Sequence, residues 1–120
     1  MKTENRNTGR IGEAMAEDFL TDKGYEVVLK NFSTRLGEID LVMRDKDILV
    51  FVEVKTKKGL LFGSPEEMFT RGKYERVKRM ATVYLKGEEV PCRIDMVAVV
   101  LDDQNQPVSV KHYKNAGGEF

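Results

Sequence analysis

The sequence predicts a single α/β domain with elements in the order α-β-β-β-α-β-β. Two segments carry apolar residues at helical spacing, and five short segments rich in β-branched and aromatic residues lie between turn signals. The chain's 120 residues fall within the range of about 100–200 expected of one domain, and no internal repeat, low-complexity stretch or linker divides them. Residues 1–120 are therefore read as one unit, with 1–7 and 115–120 expected as flexible ends.

Thr8 is the expected N-cap of the first helix, in which Ile11, Met15 and Phe19 recur every four residues and Gly12, Ala16 and Leu20 fill the adjoining arc. Gly24 ends it. At 100° per residue Glu13 borders the apolar arc beside Ala16 and Leu20, within reach of a buried cleft, whereas Glu17 lies further out. Tyr25 to Phe32 forms the first strand, around Val27 and Val28. Gly37 to Arg44 and Ile48 to Thr56 alternate apolar and polar residues on either side of Asp45-Lys46-Asp47, and so form a hairpin. A loop of two residues, or of four, sets Asp40 opposite Glu53 and Glu38 opposite Lys55, whereas a loop of three slips the register and separates the first pair.

Gly59 to Gly63 reads as a loop, and Ser64-Pro65-Glu66-Glu67 as a helix start with a capping box. Thr70 caps a longer helix to about Lys86, with Tyr74, Val77, Met80, Ala81, Tyr84 and Leu85 on its apolar side. Lys73 falls inside that arc; Arg71, Arg76, Lys78, Arg79 and Lys86 fall outside it. Arg93 to Leu101 is a buried strand, and Pro107 to Tyr113 an edge strand that tolerates its proline.

Apolar residues make up 41% of the chain, enough for one core, and charged residues 33%. The longest apolar runs, Ile48 to Val52 and Met96 to Leu101, are far shorter than the roughly 18–20 residues of a membrane span. Met1 to Arg10 is polar and offers no secretory signal. Cys92 is alone, which excludes a disulfide framework or a thiolate zinc site and points to the reducing cytoplasm. His112, the only histidine, is expected to be exposed on the last strand.

The 20 basic and 20 acidic side chains cancel, but unevenly along the chain. Residues 1–54 are net −3, residues 55–79 net +5 and residues 80–120 net −2. A basic patch beside carboxylates is what a polyanion-cleaving metal site needs, although a solvated helix face would also be basic. Glu53 and Lys55 share one face of a strand whose Val52 and Val54 turn into the core. Charges are rare in so apolar a strand unless paired or functional. Asp40 repeats the anomaly on the neighbouring strand. Two close carboxylates repel unless a cation compensates, and Mg²⁺ or Mn²⁺ does so through oxygen ligands, leaving Lys55 to meet the attacking water or the scissile phosphate. A surface hairpin with cross-strand ion pairs worth about 0.2–1 kcal/mol each accounts for the same charges without chemistry.

Gly9-Arg10-Ile11-Gly12-Glu13-Ala14-x-Ala16, Gly37-Glu38-Ile39-Asp40-Leu41-Val42, Phe51-Val52-Glu53-Val54-Lys55-Thr56 and the helix with Lys73 resemble the YraN-type uncharacterised bacterial family over about residues 8–101. That family in turn resembles the restriction-endonuclease-like PD-(D/E)xK nucleases, Holliday junction resolvases among them. Ile39 stands at the proline of the superfamily's name, a position where replacement is common. The resemblance implies a central mixed sheet flanked by helices, with Asp40 and Glu53 as metal ligands, the Val54 main-chain carbonyl completing the protein's share of the shell, and Lys55 as the catalytic lysine. Glu13 would match an acidic residue from the first helix, and Lys73 a helix lysine near the site.

The expected activity is Mg²⁺- or Mn²⁺-dependent hydrolysis of DNA, branched or structured forms included. Lys57, Lys58, Arg71, Lys73 and Arg76 would follow the phosphate backbone, and junction cutting would call for a symmetric homodimer. The alternative is a non-catalytic nucleic-acid-binding or protein-interaction module on the same fold, which the small size and zero net charge would suit.

Overall fold

A computed structural model describes residues 2–59, 67 and 69–116. Its elements are α1 (Lys2–Asp22), β1 (Glu26–Thr34), β2 (Gly37–Asp45), β3 (Ile48–Lys58), α2 (Arg71–Leu85), β4 (Cys92–Leu101) and β5 (Pro107–Tyr113). The order is the expected one. The strands form one sheet in sequential order, β1-β2-β3-β4-β5. All neighbours are antiparallel except β3 and β4, which run parallel. A parallel pair cannot be joined by a tight turn, and α2 lies in the connection between these two strands. The sheet is therefore mixed.

Apolar residues at alternate positions give the sheet two buried faces. Leu41, Met43, Val52, Val97 and Val99 meet Ala16 and Leu20 of α1. On the other face Ile39, Val42 and Phe51 meet Val77, Met80 and Ala81 of α2. Tyr84 stands edge-on to Phe32 and Phe51, at centroid distances of 5.2 and 5.6 Å, an arrangement aromatic rings favour.

The helix ends follow local chemistry. Gly24, at φ 99°, closes α1: the Tyr25 N–H donates to the Leu20 carbonyl and the Gly24 N–H to the Thr21 carbonyl, the paired bonds of a Schellman ending. Thr70 caps α2 as expected, accepting from the Lys73 N–H at 3.2 Å. At its other end Lys86 takes a left-handed conformation. The start of α1 corrects the expectation, because the helix begins at Lys2 and Thr8 lies inside it. The first turns carry few apolar residues, so periodicity could not reveal them. The expected loop beyond Gly59 and the helix start at Ser64-Pro65-Glu66 fall outside the described residues.

The β2–β3 hairpin settles the register. Asp45 pairs with Ile48 across the two-residue loop Lys46-Asp47, and the ladder runs to Leu41 opposite Val52. It ends there. The same register would bring Asp40 level with Glu53, but the strands pair no further. The expected cross-strand pair of Glu38 and Lys55 is absent from this ladder, and Glu38 instead lies opposite Ser33 of β1.

Candidate active site

Where the β2–β3 ladder stops, side chains take over its hydrogen bonds. The Val54 N–H donates to Asp40 Oδ2 at 2.8 Å. In an antiparallel pair a residue's N–H and C=O face the same neighbour, so the Val54 carbonyl belongs to the same edge of β3 as Asp40. Val52 and Val54 pack towards α1, which by alternation turns Glu53, Lys55 and Lys57 towards the α2 side. Lys55 Nζ lies 3.4 Å from Glu53 Oε2, with side chains 23% and 14% exposed.

Both helices add to this opening. A Cβ on Gly12 would fall inside the Thr56 side chain, 2.8 Å from its Cβ. Only glycine allows α1 to approach β3 so closely, and the next residue is Glu13. A cleft of about 260 Å³ opens beside it, bordered by Arg10, Glu13, Glu17, Lys30, Asn31 and Asp40. From α2, Lys73 comes close enough to Lys55 for the two amino groups to perturb each other. Glu13, Asp40, Glu53, Lys55 and Lys73 therefore converge, although they come from four elements. Arg71, Arg76 and Lys58 are exposed and Lys57 is half-buried; they lie on α2 and at the end of β3.

The electrostatics match the crowding. Burial, followed by the Glu53 charge, pushes the Asp40 carboxyl up to about 8, with Glu13 adding to the rise and the Val54 N–H opposing it. Glu13 is also raised, first by burial and then by Glu38 and Glu53, while Arg10 opposes. Lys73 is lowered to about 8, chiefly by the Lys55 amino group beside it and then by burial and the Lys55 charge. Neutralising Asp40 by protonation costs the site a metal-binding charge, whereas an added cation would relieve the same repulsion.

Asn31 and Glu38 are neighbours of this site that sequence reasoning did not place in it. With its amide nitrogen facing them, Asn31 donates to Glu13 Oε1 and Glu38 Oε2, at 3.2 Å each. An asparagine inside Leu29-Lys30-Asn31-Phe32 was the available signal, since asparagine is depleted in strands and tolerates left-handed backbone.

The single histidine also departs from expectation. His112 is not exposed: its side chain is 1% exposed and its Nε2 lies 2.7 Å from the fully buried Asp95. Arg93 Nε donates to the same carboxylate at 2.9 Å, and the Asn115 N–H does so at 2.9 Å. Burial pushes the Asp95 carboxyl up, but the bonds from His112, Arg93 and Asn115 outweigh it and hold it below the usual range. This network fastens β5 and the following residues to β4. Cys92 stands exposed at the start of β4.

Relatives align with most of this chain. The profile of the Uncharacterised protein family UPF0102 matches residues 12–99, a span that includes Glu13, Asp40, Glu53, Lys55 and Lys73. A UPF0102 protein of Clostridium botulinum strain Loch Maree is 37% identical over 116 residues, covering 93% of this chain and 94% of the relative. One from Symbiobacterium thermophilum is 45% identical over 98 residues, covering 79% and 83%. Another, from Clostridium tetani, is 35% identical over 119 residues, covering 97% and 98%. On this evidence the chain belongs to the uncharacterised family UPF0102.

Proposed function

We propose that this protein is a nuclease that hydrolyses phosphodiester bonds in DNA, branched or structured DNA included, with Mg²⁺ or Mn²⁺. The observation that carries the reading is the convergence of Asp40, Glu53 and Lys55 where β2 and β3 part, with the Val54 N–H fixing Asp40 at 2.8 Å. The donor set suits a hard divalent ion. Among the described residues no three or more His, Cys, Asp or Glu side chains form a ready-made cage. Mg²⁺ needs none, because it keeps several waters and is usually held by one or two carboxylates together with substrate phosphate.

Asp40 and Glu53 would hold the ion, with the Val54 carbonyl as the main-chain donor and Glu13 supporting from α1. When bound, the ion would supply Lewis acidity towards the phosphoryl oxygen and an acidified water. Lys55 would stabilise the charge that builds on the scissile phosphate, a contribution that is largest where water is scarce. Lys73, beside Lys55 and lowered to about 8, would stay largely protonated at neutral pH and add to the positive charge that meets the phosphate. Lys57, Lys58, Arg71 and Arg76 would bind the backbone, independently of base sequence.

The test is cleavage of single strands, duplexes, flaps and four-way junctions with each ion. The reading expects Asp40→Asn, Glu53→Gln and Lys55→Ala each to lower the rate at least about 100-fold, the scale of losing a group that stabilises the transition state. Cleavage undiminished in Lys55→Ala and Asp40→Asn would trace the activity to a contaminant. A protein that binds nucleic acid but neither ion at millimolar concentration would be the non-catalytic module instead. Among the described residues no helix is long and apolar enough to cross a membrane.

A further inference from the structure

Asn31 has a left-handed backbone, at φ 55°, in the middle of β1. Its neighbours Lys30 and Phe32 pair with Leu41 and Ile39, so Asn31 stands opposite Asp40. The pleat is disturbed on both strands at this level, because Ile39 and Val42 of β2 both pack towards α2 although strict alternation would place them on opposite faces. A left-handed residue other than glycine within a strand is uncommon, and asparagine adopts that conformation at little cost.

What the conformation accomplishes is visible in the side chain. The two groups facing the carboxamide, Glu13 Oε1 and Glu38 Oε2, are both carboxylate acceptors, which fixes the amide nitrogen towards them at 3.2 Å each. One side chain thus joins a carboxylate of α1 to a carboxylate of β2, directly across from Asp40. Aspartate would add a third negative charge here, and glycine would keep the backbone but lose both donors.

We propose that Asn31 is a positioning residue of the carboxylate site, holding Glu13 against the β1–β2 edge so that it supports a divalent ion bound by Asp40 and Glu53. This rests on the metal-site reading above. Groups that orient metal ligands commonly change affinity by about 10–100-fold when removed.

The test titrates Mn²⁺ alone into the full chain by calorimetry, records the electron paramagnetic resonance of the bound ion, and follows metal-free thermal unfolding. Asn31→Gly is expected to unfold near the wild-type temperature, to bind Mn²⁺ at least about 10-fold more weakly and to show an altered spectrum. Glu13→Gln should weaken binding in the wild type but add little in the Asn31→Gly background, since the two act through one link. Should Asn31→Gly fail to fold, Asn31→Ser, too short to bridge both carboxylates, serves with the same readings. Wild-type affinity and spectrum in these variants, with binding lost in Asp40→Asn, would overturn the role of Asn31 and leave the site reading standing. Mn²⁺ binding that is absent in the wild type, or unaffected by Asp40→Asn, would refute the site reading, and the proposal would fall with it.

Discussion

Gly12→Ala tests how α1 is seated on the sheet, and with it how Glu13 reaches the site. The added methyl would lie 2.8 Å from both Cβ and Cγ2 of Thr56, and closer still to Oγ1. Ordinary carbon contacts need about 3.5–4.0 Å, so the helix must back away or Thr56 must rotate and its strand yield. Thr56 is short, β-branched and stiff at χ1, which leaves little room for rotation. Overpacking of this kind costs about 1–3 kcal/mol. Replacing a mid-helix glycine with alanine returns about 0.5–1 kcal/mol. With three Thr56 atoms inside contact distance the overpacking cost lies in the upper part of its range, about 2–3 kcal/mol, so the balance is a loss of about 1–2.5 kcal/mol, or a fall of about 4–10 °C in Tm for a domain of this size. Denaturant and thermal unfolding measure it, and Thr56→Ala in the same chain should recover part of the loss. A Gly12→Ala protein as stable as the wild type, or more stable, would show that helix propensity prevails and that the close approach is not what requires glycine.

Three further outcomes follow from the charges. Because Asp40 is raised to about 8 in the fold from about 3.9 in the unfolded chain, its ionisation opposes folding increasingly as pH climbs between those values. Metal-free Asp40→Asn should therefore be more stable than the wild type above pH 8, with the gain vanishing below about pH 4; a gain independent of pH would refute this. Asp95 behaves oppositely, since its folded value is lowered: its contribution is present above about pH 3.9 and is lost as pH falls further. Asp95→Ala, which takes an acceptor from the buried His112 and the Asn115 N–H and leaves Arg93 with Asp45 as its carboxylate partner, should cost about 1–3 kcal/mol at pH 7, and acid titration of Tm should narrow the gap. Arg76→Ala should weaken binding to all DNA sequences alike and reduce the salt slope by about 1, as anisotropy at several salt concentrations would show.

Much of this architecture is legible in the sequence because it is local. Asp45-Lys46-Asp47 marks the hairpin turn, although the choice among loops of two, three and four residues, and with it the level of Asp40 relative to Glu53, is made only by the observed register. The period-2 pattern places Val52 and Val54 inward and Glu53 and Lys55 on the other face, while Thr70 announces α2. What escapes is non-local. No pattern shows that the β2–β3 ladder ends at Leu41 and Val52, so that an aspartate side chain replaces the next backbone partner. Likewise His112 is buried because Asp95 and Arg93 of β4 await it across the sheet, a contact that neither residue's neighbours encode. Asn31 reads as a polar interruption of a strand until Glu13 and Glu38 are brought beside it.

The proposed function requires Asp40 and Glu53 to share one divalent ion at the opening between β2 and β3. A crystal soaked in millimolar Mn²⁺ and measured at an anomalous wavelength tests it most directly. A single peak is expected within about 2.0–2.3 Å of oxygens from Asp40, Glu53 and the Val54 carbonyl, close to the ligand distances of small hard cations. A map without a peak there, or with Mn²⁺ bound only elsewhere, would contradict it.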